Sequence, residues 1–228
     1  MDKKDKTSFV ITEDIQEIAS QLSCPSGSKG KEIGDLLHST NINMIQESIL
    51  ALQLKDHYNV LELGHGNCSH LSYLMKKATD LKYVGVEISD VMQQEAERIN
   101  EPFVNKNQAL FKVFDGMNIP YTDSFFDAAF SVNTLYFWEQ PCVFLNEIYR
   151  VLKTQGVLVV TFVNKPSMEL LPFVAQTNVF TLYDQQKFLS LVSGTNFEVT
   201  AVETKIEQVK SKTGEWVNRA YCIAILTK

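Results

Sequence analysis

VLELGHGNC, residues 60–68, sets an apolar run directly against a glycine turn. Tyr58 to Leu63 form a short, mostly apolar run that stops at Gly64-His65-Gly66. That is the pattern of a buried strand entering a tight turn, and Leu71, Leu74 and Met75 then fit a following helix. Downstream the alternation repeats. LKYVGVEI (81–88) predicts a second strand, Ser89 can cap a helix through Ile99, ALFKVF (109–114) predicts a third strand and FDAAFSV (126–132) a fourth. Leu145, Ile148, Val151 and Leu152 mark another helix that Gly156 can end, before VLVVTFV (157–163) as a fifth strand. Strands apolar on both faces that alternate with helices imply an α/β parallel sheet. The chain then changes character. FEVTAVETKI and WVNRAYCIAIL flank Lys212-Thr213-Gly214, and two strands joined so briefly must be antiparallel neighbours.

Upstream of the turn the pattern is helical. Ile11, Ile15, Ile18, Ala19 and Leu22 share one face with Thr12 as N-cap, and CPSGSKG (24–30) supplies turn chemistry. Ile33, Leu36 and Leu37 predict a short second helix, and Asn41 a cap for a third through Ile42, Ile45, Ile49 and Leu52. The expected fold is a doubly wound, seven-stranded, mostly parallel sheet with an antiparallel C-terminal strand and an N-terminal helical cap. The organisation expected is a single domain over 1–228: a cap (1–55), a cofactor-binding core (56–163), a helical insertion (164–195) and a C-terminal β-hairpin (196–228).

Composition narrows the function. The 228 residues hold 21 Lys and Arg against 27 Asp and Glu, a net charge of −6. A generic nucleic-acid binder needs a basic face, so nucleic acid is not the expected partner. The four cysteines, Cys24, Cys68, Cys142 and Cys222, form no CxxC pair, and the four histidines have no paired helical spacing, so no metal is expected. The charged MDKKDKTS start has no apolar stretch behind it, and no run approaches a membrane span. The expectation is a cytoplasmic chain with no membrane partner.

Chemistry concentrates at the turn. Glycines let backbone approach a ligand, and the next helix offers free N–H groups. Glu87 ends the second strand 23 residues after Gly64, the place from which a carboxylate accepts from ribose hydroxyls. A dinucleotide turn would carry a third glycine, whereas Cys68 stands there. Glu62, two residues before Gly64, suits a cationic ligand better than a pyrophosphate.

On these residues the chain resembles the seven-stranded S-adenosylmethionine-dependent methyltransferases, small-molecule branch. VLELGHGNC, YVGVEIS, VFDGMNIPYTDSFFDAAFSVNTLYFW and EIYRVLKTQGVLVVT carry the likeness over about residues 58–163. The resemblance implies S-adenosylmethionine as cofactor. It places Glu62 at the cofactor's methionine end, with Gly64, His65 and Gly66 beneath it. Glu87 falls at the ribose, Ile88 against adenine, and Asp115 at the adenine amino group with Gly116 and Met117 flanking the ring. Asn133 and Thr134 fall beside the cofactor's amino-acid part. The activity implied is methyl transfer to a small-molecule acceptor by in-line displacement.

For the reaction side, His38 in the cap is a candidate catalytic or substrate-contacting residue. Tyr136, after the fourth strand, is a further catalytic candidate, Tyr136 and Trp138 are candidates for the substrate wall ahead of Phe137, and Phe180 and Tyr183 for the opposite wall. Two rivals stand beside this reading: a non-catalytic module that senses S-adenosylmethionine, and an NAD-dependent oxidoreductase. The acceptor atom, any general base, and the effect of Cys68 on cofactor binding are not legible. Nor is the oligomeric state, for which the hairpin edge or the cap could each mediate a homodimer.

Overall fold

The computed structural model describes residues 15–175, 177–210 and 216–228. The Thr12 cap, Ile11 and the Lys212-Thr213-Gly214 turn lie outside them. In chain order the elements are α1 (Ile15–Ser23), α2 (Gly27–Ala51), β1 (Asn59–Leu63), α3 (Leu71–Leu74), β2 (Lys82–Glu87), α4 (Asp90–Ile99), α5 (Glu101–Val104), β3 (Ala109–Val113) and β4 (Phe126–Val132). A 3-10 turn (Leu135–Phe137), α6 (Pro141–Val151), β5 (Leu152–Val163), α7 (Lys165–Glu169), α8 (Pro172–Ala175), α9 (Gln185–Val192), β6 (Glu198–Lys210) and β7 (Trp216–Thr227) follow.

The strands form one sheet in the order β3-β2-β1-β4-β5-β7-β6. β1 to β5 are parallel, and β7 runs antiparallel to both β5 and β6. From β1 the chain steps outward through β2 and β3, then returns to the other side of β1 as β4. Right-handed crossovers in opposite directions put their helices on opposite faces, so β1, β2 and β4 are buried from both sides. That is why their sequences read as continuous apolar runs. The reversal between β1 and β4 also opens a crevice at the carboxyl ends of those strands, where open α/β sheets bind ligands. Among the described residues no helix is long and apolar enough to cross a membrane.

Two local expectations fail for identifiable reasons. The second and third helices are one continuous 25-residue helix, α2. Ser39 Oγ and Thr40 Oγ1 donate back to Leu36 O, so the helix runs on through these polar residues, and Asn41, expected as a cap, lies inside it with its Oδ1 accepting from Arg219. Its inner glycines are packing positions. A Cβ on Gly34 would lie 2.7 Å from Met92 Sδ of α4, and one on Gly30 would lie 3.2 Å from Val91 Cγ1. Gly156, expected to stop α6, lies inside β5, next to a register shift against β4. A Cβ there would fall 2.7 Å from Lys153 O. Ser89 does cap α4, accepting from Met92 N at 3.2 Å.

The β6–β7 hairpin overruns the sheet. β7 pairs with β5 only as far as Tyr221, opposite Val163, while Trp216 to Ala220 pair with β6 alone. This overhang clasps the cap helix. Arg219 bonds Glu207 Oε1 through Nε and Nη2, and its guanidinium also reaches Thr40 O and Asn41 Oδ1 on α2. Glu207 Oε2 accepts from Asn43 Nδ2 at 3.1 Å, and Lys205 pairs with Glu47. Cap and hairpin together roof the crevice.

Candidate functional site

The turn after β1 is held by three left-handed residues, Gly64 (φ 72°), Gly66 (φ 56°) and Cys68 (φ 49°). Gly64 N donates to Val86 O at 2.8 Å, which ties the turn to β2. A Cβ on Gly64 would sit 2.4 Å from Thr134 Cγ2, whereas around Gly66 that space is open. Cys68 occupies with strain the conformation a third glycine adopts freely. Its thiol points into the core, 3.2 Å from Tyr83 Oη, and burial pushes its pKa up. The His65 ring lies edge-on to Phe111, 5.1 Å between centroids, in space that Gly85 leaves open. Its Nδ1 is 2.7 Å from Gly66 O, and burial lowers its pKa.

Beneath the turn lies a buried ionic cluster. Glu62 Oε2 is 2.9 Å from His70 Nε2 and also accepts from Tyr83 Oη. Burial opposes charge on both members of the pair. The pairing outweighs it, so His70 is raised well above the ordinary histidine range and Glu62 is held below the carboxylate range. His70 Nδ1 is buried without a hydrogen-bond partner. The His38 ring of α2 stacks on His70 at 5.9 Å and 11°. Burial first, then the His70 charge, lowers the His38 pKa.

The spacing of the four histidines gives no sign of this cluster and does not single out His70. The available signal was Glu62 itself, since a carboxylate in the middle of an apolar strand requires a buried partner. Glu62, Cys68 and His70 bring their ligand atoms within 4.8 Å of one another, a metal-ligand set of types that helical spacing did not reveal. The Tyr83 hydroxyl already engages both the carboxylate and the thiol.

Glu87 is fixed by three backbone donors. Its Oε2 accepts from Gly66 N at 3.0 Å, and its Oε1 from Ile88 N and Ser89 N at 2.8 and 3.2 Å. Its orientation is therefore set before any ligand arrives. Asn133, left-handed at φ 58°, accepts through Oδ1 from Val163 N at 3.2 Å. Thr134 Oγ1 bonds Ser131 Oγ and accepts from Trp138 Nε1 at 3.1 Å.

A cavity of about 660 Å³ unites these parts. Of the sequence-derived candidates, Glu62, Gly64, His65, Gly66, Glu87, Ile88, Gly116, Asn133 and Thr134 line it, as do His38, Tyr136 and Trp138. Asp115 and Met117 do not. The exposed Asp115 carboxylate is turned back onto Met117 N, Asn118 N and Asn118 Nδ2, which also lowers its pKa. Phe180 lines the cavity and Tyr183 does not, because Tyr183 packs edge-on to Phe162 in the core. Tyr136 contributes its ring, while its hydroxyl is 2.9 Å from Asn133 Oδ1 and 3.1 Å from Val163 O. Burial drives that hydroxyl's pKa far upward, so it is a wall group and not a proton acceptor.

A methyltransferase-domain family model matches residues 61–160, from β1 through β5. The uncharacterized methyltransferase YdaC of Bacillus subtilis is 26% identical over 129 residues, 56% of this chain and 68% of that one. The 2-methyl-6-phytyl-1,4-hydroquinone methyltransferase of Synechocystis is 27% identical over 159 residues, 69% of this chain and 49% of that one. Among solved structures, a chain of the complex between the Haloferax volcanii Trm112 methyltransferase activator and its partner superposes with a TM-score of 0.70. It is 14% identical, with 85% of this chain and 92% of that one covered. These likenesses decide against a nicotinamide-dependent oxidoreductase. Residues 61–160 thus match a methyltransferase domain, set on a Rossmann-like fold shared with solved methyltransferase structures.

Proposed function

We propose that the chain methylates a small-molecule acceptor bound under the cap, with the cofactor seated on the glycine turn. One observation carries this reading: a single cavity joins Gly64, Gly66 and Glu87 to His38 and the aromatic wall of Tyr136, Phe137, Trp138 and Phe180. The turn fits an extended ligand, because half-buried Gly64 and Gly66 both line the cavity and the space beside Gly66 is open. Glu87, preset by three N–H groups, would accept from the ribose hydroxyls. Ile88 and Gly116 would hold the adenine ring, and Asn133 and Thr134 the amino-acid part. Glu62 acts through its buried pair with His70, which fixes the floor of the site. Asp115, committed to its own turn, is dropped from the adenine contacts.

When bound, S-adenosylmethionine supplies an electrophilic methyl on a sulfonium whose departing thioether is neutral and needs no acid. What remains for the protein is alignment and exclusion of water, which can supply much of the rate. A protic acceptor must also lose its proton. His38 faces the cavity and its lowered pKa keeps it neutral near pH 7, so it is the group placed to take that proton. The name of the Synechocystis relative supports an acceptor of small-molecule size.

Thermal titration tests the site. Saturating S-adenosylmethionine or S-adenosylhomocysteine at a hundred times the dissociation constant stabilises the native state by about 2.7 kcal/mol, and NAD does not. Glu87→Ala lowers affinity for S-adenosylhomocysteine at least tenfold. His38→Gln keeps that affinity and lowers kcat about a hundredfold on a protic acceptor. Unchanged cofactor affinity in Glu87→Ala would remove the ribose assignment, and unchanged kcat in His38→Gln would remove the base.

A further inference from the structure

The acceptor side of the cavity has a composition the cofactor side lacks. Ile15, Ile18 and Leu22 recur at spacings of three and four, so all three turn one face of α1 inward, and all line the cavity. α1 packs against α8, and the short α7–α8 segment adds Met168, Leu171 and Phe173. The charged residues lining the cavity lie elsewhere. Glu62 and Glu87 belong to the glycine-turn side, and Arg219 and Lys210 to the hairpin overhang. Arg219 is committed to Glu207, Thr40 and Asn41. Among the described residues, the only side-chain polar groups that α1 and the α7–α8 segment bring to the cavity are the Ser23 and Ser167 hydroxyls, each already bonded to backbone, so a charged or polyhydroxylated acceptor lying there would lose more hydration than they return.

Apolar residues also continue to the mouth. Leu170 is 80% exposed and Val217 40% exposed, yet both line the cavity. Apolar side chains of this size left in water at the rim of a pocket mark a surface that an apolar ligand covers. The protic group placed for chemistry, His38, sits on α2 one residue after Leu37, which also lines the cavity.

We infer that the acceptor is an amphiphile. A single uncharged protic head lies beside His38, and an apolar body lies along the α1 and α7–α8 wall toward Leu170 and Val217. This rests on the methyl-transfer reading of the same cavity and adds the substrate's chemical class to it. The wall chooses the acceptor by apolar area and the head alone meets polar groups, so affinity must grow with tail length.

The test uses the full chain and a series of 4-alkylphenols from ethyl to octyl, titrated with and without S-adenosylhomocysteine. The expected result is a dissociation constant that falls about threefold to fourfold per added methylene. Ile18→Gln and Leu171→Gln, both at half-exposed positions that tolerate a polar side chain, flatten that dependence and leave S-adenosylhomocysteine affinity within twofold. Affinity independent of tail length overturns the inference. So does a dependence that both variants leave intact, because the phenols would then be binding elsewhere. A tail-length dependence that the variants abolish, in a protein that fails to bind S-adenosylhomocysteine, supports the amphiphile pocket while overturning the methyl-transfer reading.

Discussion

At the carboxyl ends of β1 and β2 the cavity is walled by backbone in left-handed turns and by a carboxylate tied to N–H groups. On the far side it is walled by Ile18, Leu22, Leu171, Phe173 and Phe180, side chains from separate segments. The first wall is specified by backbone shape. One added carbon on Gly64 meets Thr134, and the left-handed backbone at Gly66 disfavours a side chain there even though the space is open. The second is specified by apolar volume, and volume can be supplied by many side-chain combinations. A cofactor shared across a family calls for the first kind of wall, and an acceptor particular to one protein is recognised by the second.

Gly64→Val puts the sharpest strain on that division. A branched side chain at φ 72° costs about 1–2 kcal/mol in backbone strain alone, and the Cβ collision with Thr134 adds to it. Affinity for S-adenosylhomocysteine should fall more than a hundredfold by isothermal titration, while 4-alkylphenols keep their tail-length dependence. If both ligands weaken together, the two walls are one cooperative unit and the comparison fails.

The Glu62–His70 pair lies on the floor between the walls. His70→Leu leaves a buried carboxylate without its cation, a change that costs about 3–5 kcal/mol. The pH dependence has a definite sign. His70, raised when folded, contributes stability that is complete below its unfolded value of 6.5 and is lost as pH rises toward its folded value. Glu62, lowered when folded, contributes stability present above its unfolded value of 4.5 and lost as pH falls through its folded value. Urea melts of the wild type against the double variant Glu62→Gln/His70→Gln should therefore differ most between about pH 4.5 and 6.5 and converge on the alkaline side. A constant difference from pH 5 to 9 would mean that His70 is not charged in the fold.

What the sequence disclosed follows the same division. The strand at 126–132 and the Ser89 cap are written in local pattern and match β4 and the start of α4. Gly64, Gly66 and Glu87 are legible because a turn that backbone shape dictates leaves fixed residue types at fixed spacing. The continuous α2 was not legible, because Ser39 and Thr40 either cap a helix or bond back along it, and the tertiary contacts of Gly30 and Gly34 with α4 decide which. Asp115 looked like a ligand group and is consumed by its own loop. The acceptor wall left no readable spacing, since α1, α7–α8 and the hairpin meet only once the sheet has formed.

Cys68 gives the smallest effect and the finest test of where the backbone-built wall ends. Two consequences of Cys68→Gly oppose each other. Glycine relieves about 1–2 kcal/mol of left-handed strain at φ 49°. It also removes a fully buried thiol and its 3.2 Å contact with the Tyr83 hydroxyl, a loss of about 1 kcal/mol or more. Net stability should stay within about 1 kcal/mol of wild type. Cys68→Ala keeps the strain and loses the sulfur, so it should be the less stable of the two variants by chemical denaturation. The thiol points away from the cavity, and S-adenosylhomocysteine affinity should accordingly move less than twofold in either variant. A tenfold gain in Cys68→Gly would instead show that the cysteine displaces the turn, extending the wall that tolerates no added carbon from Gly64 to residue 68.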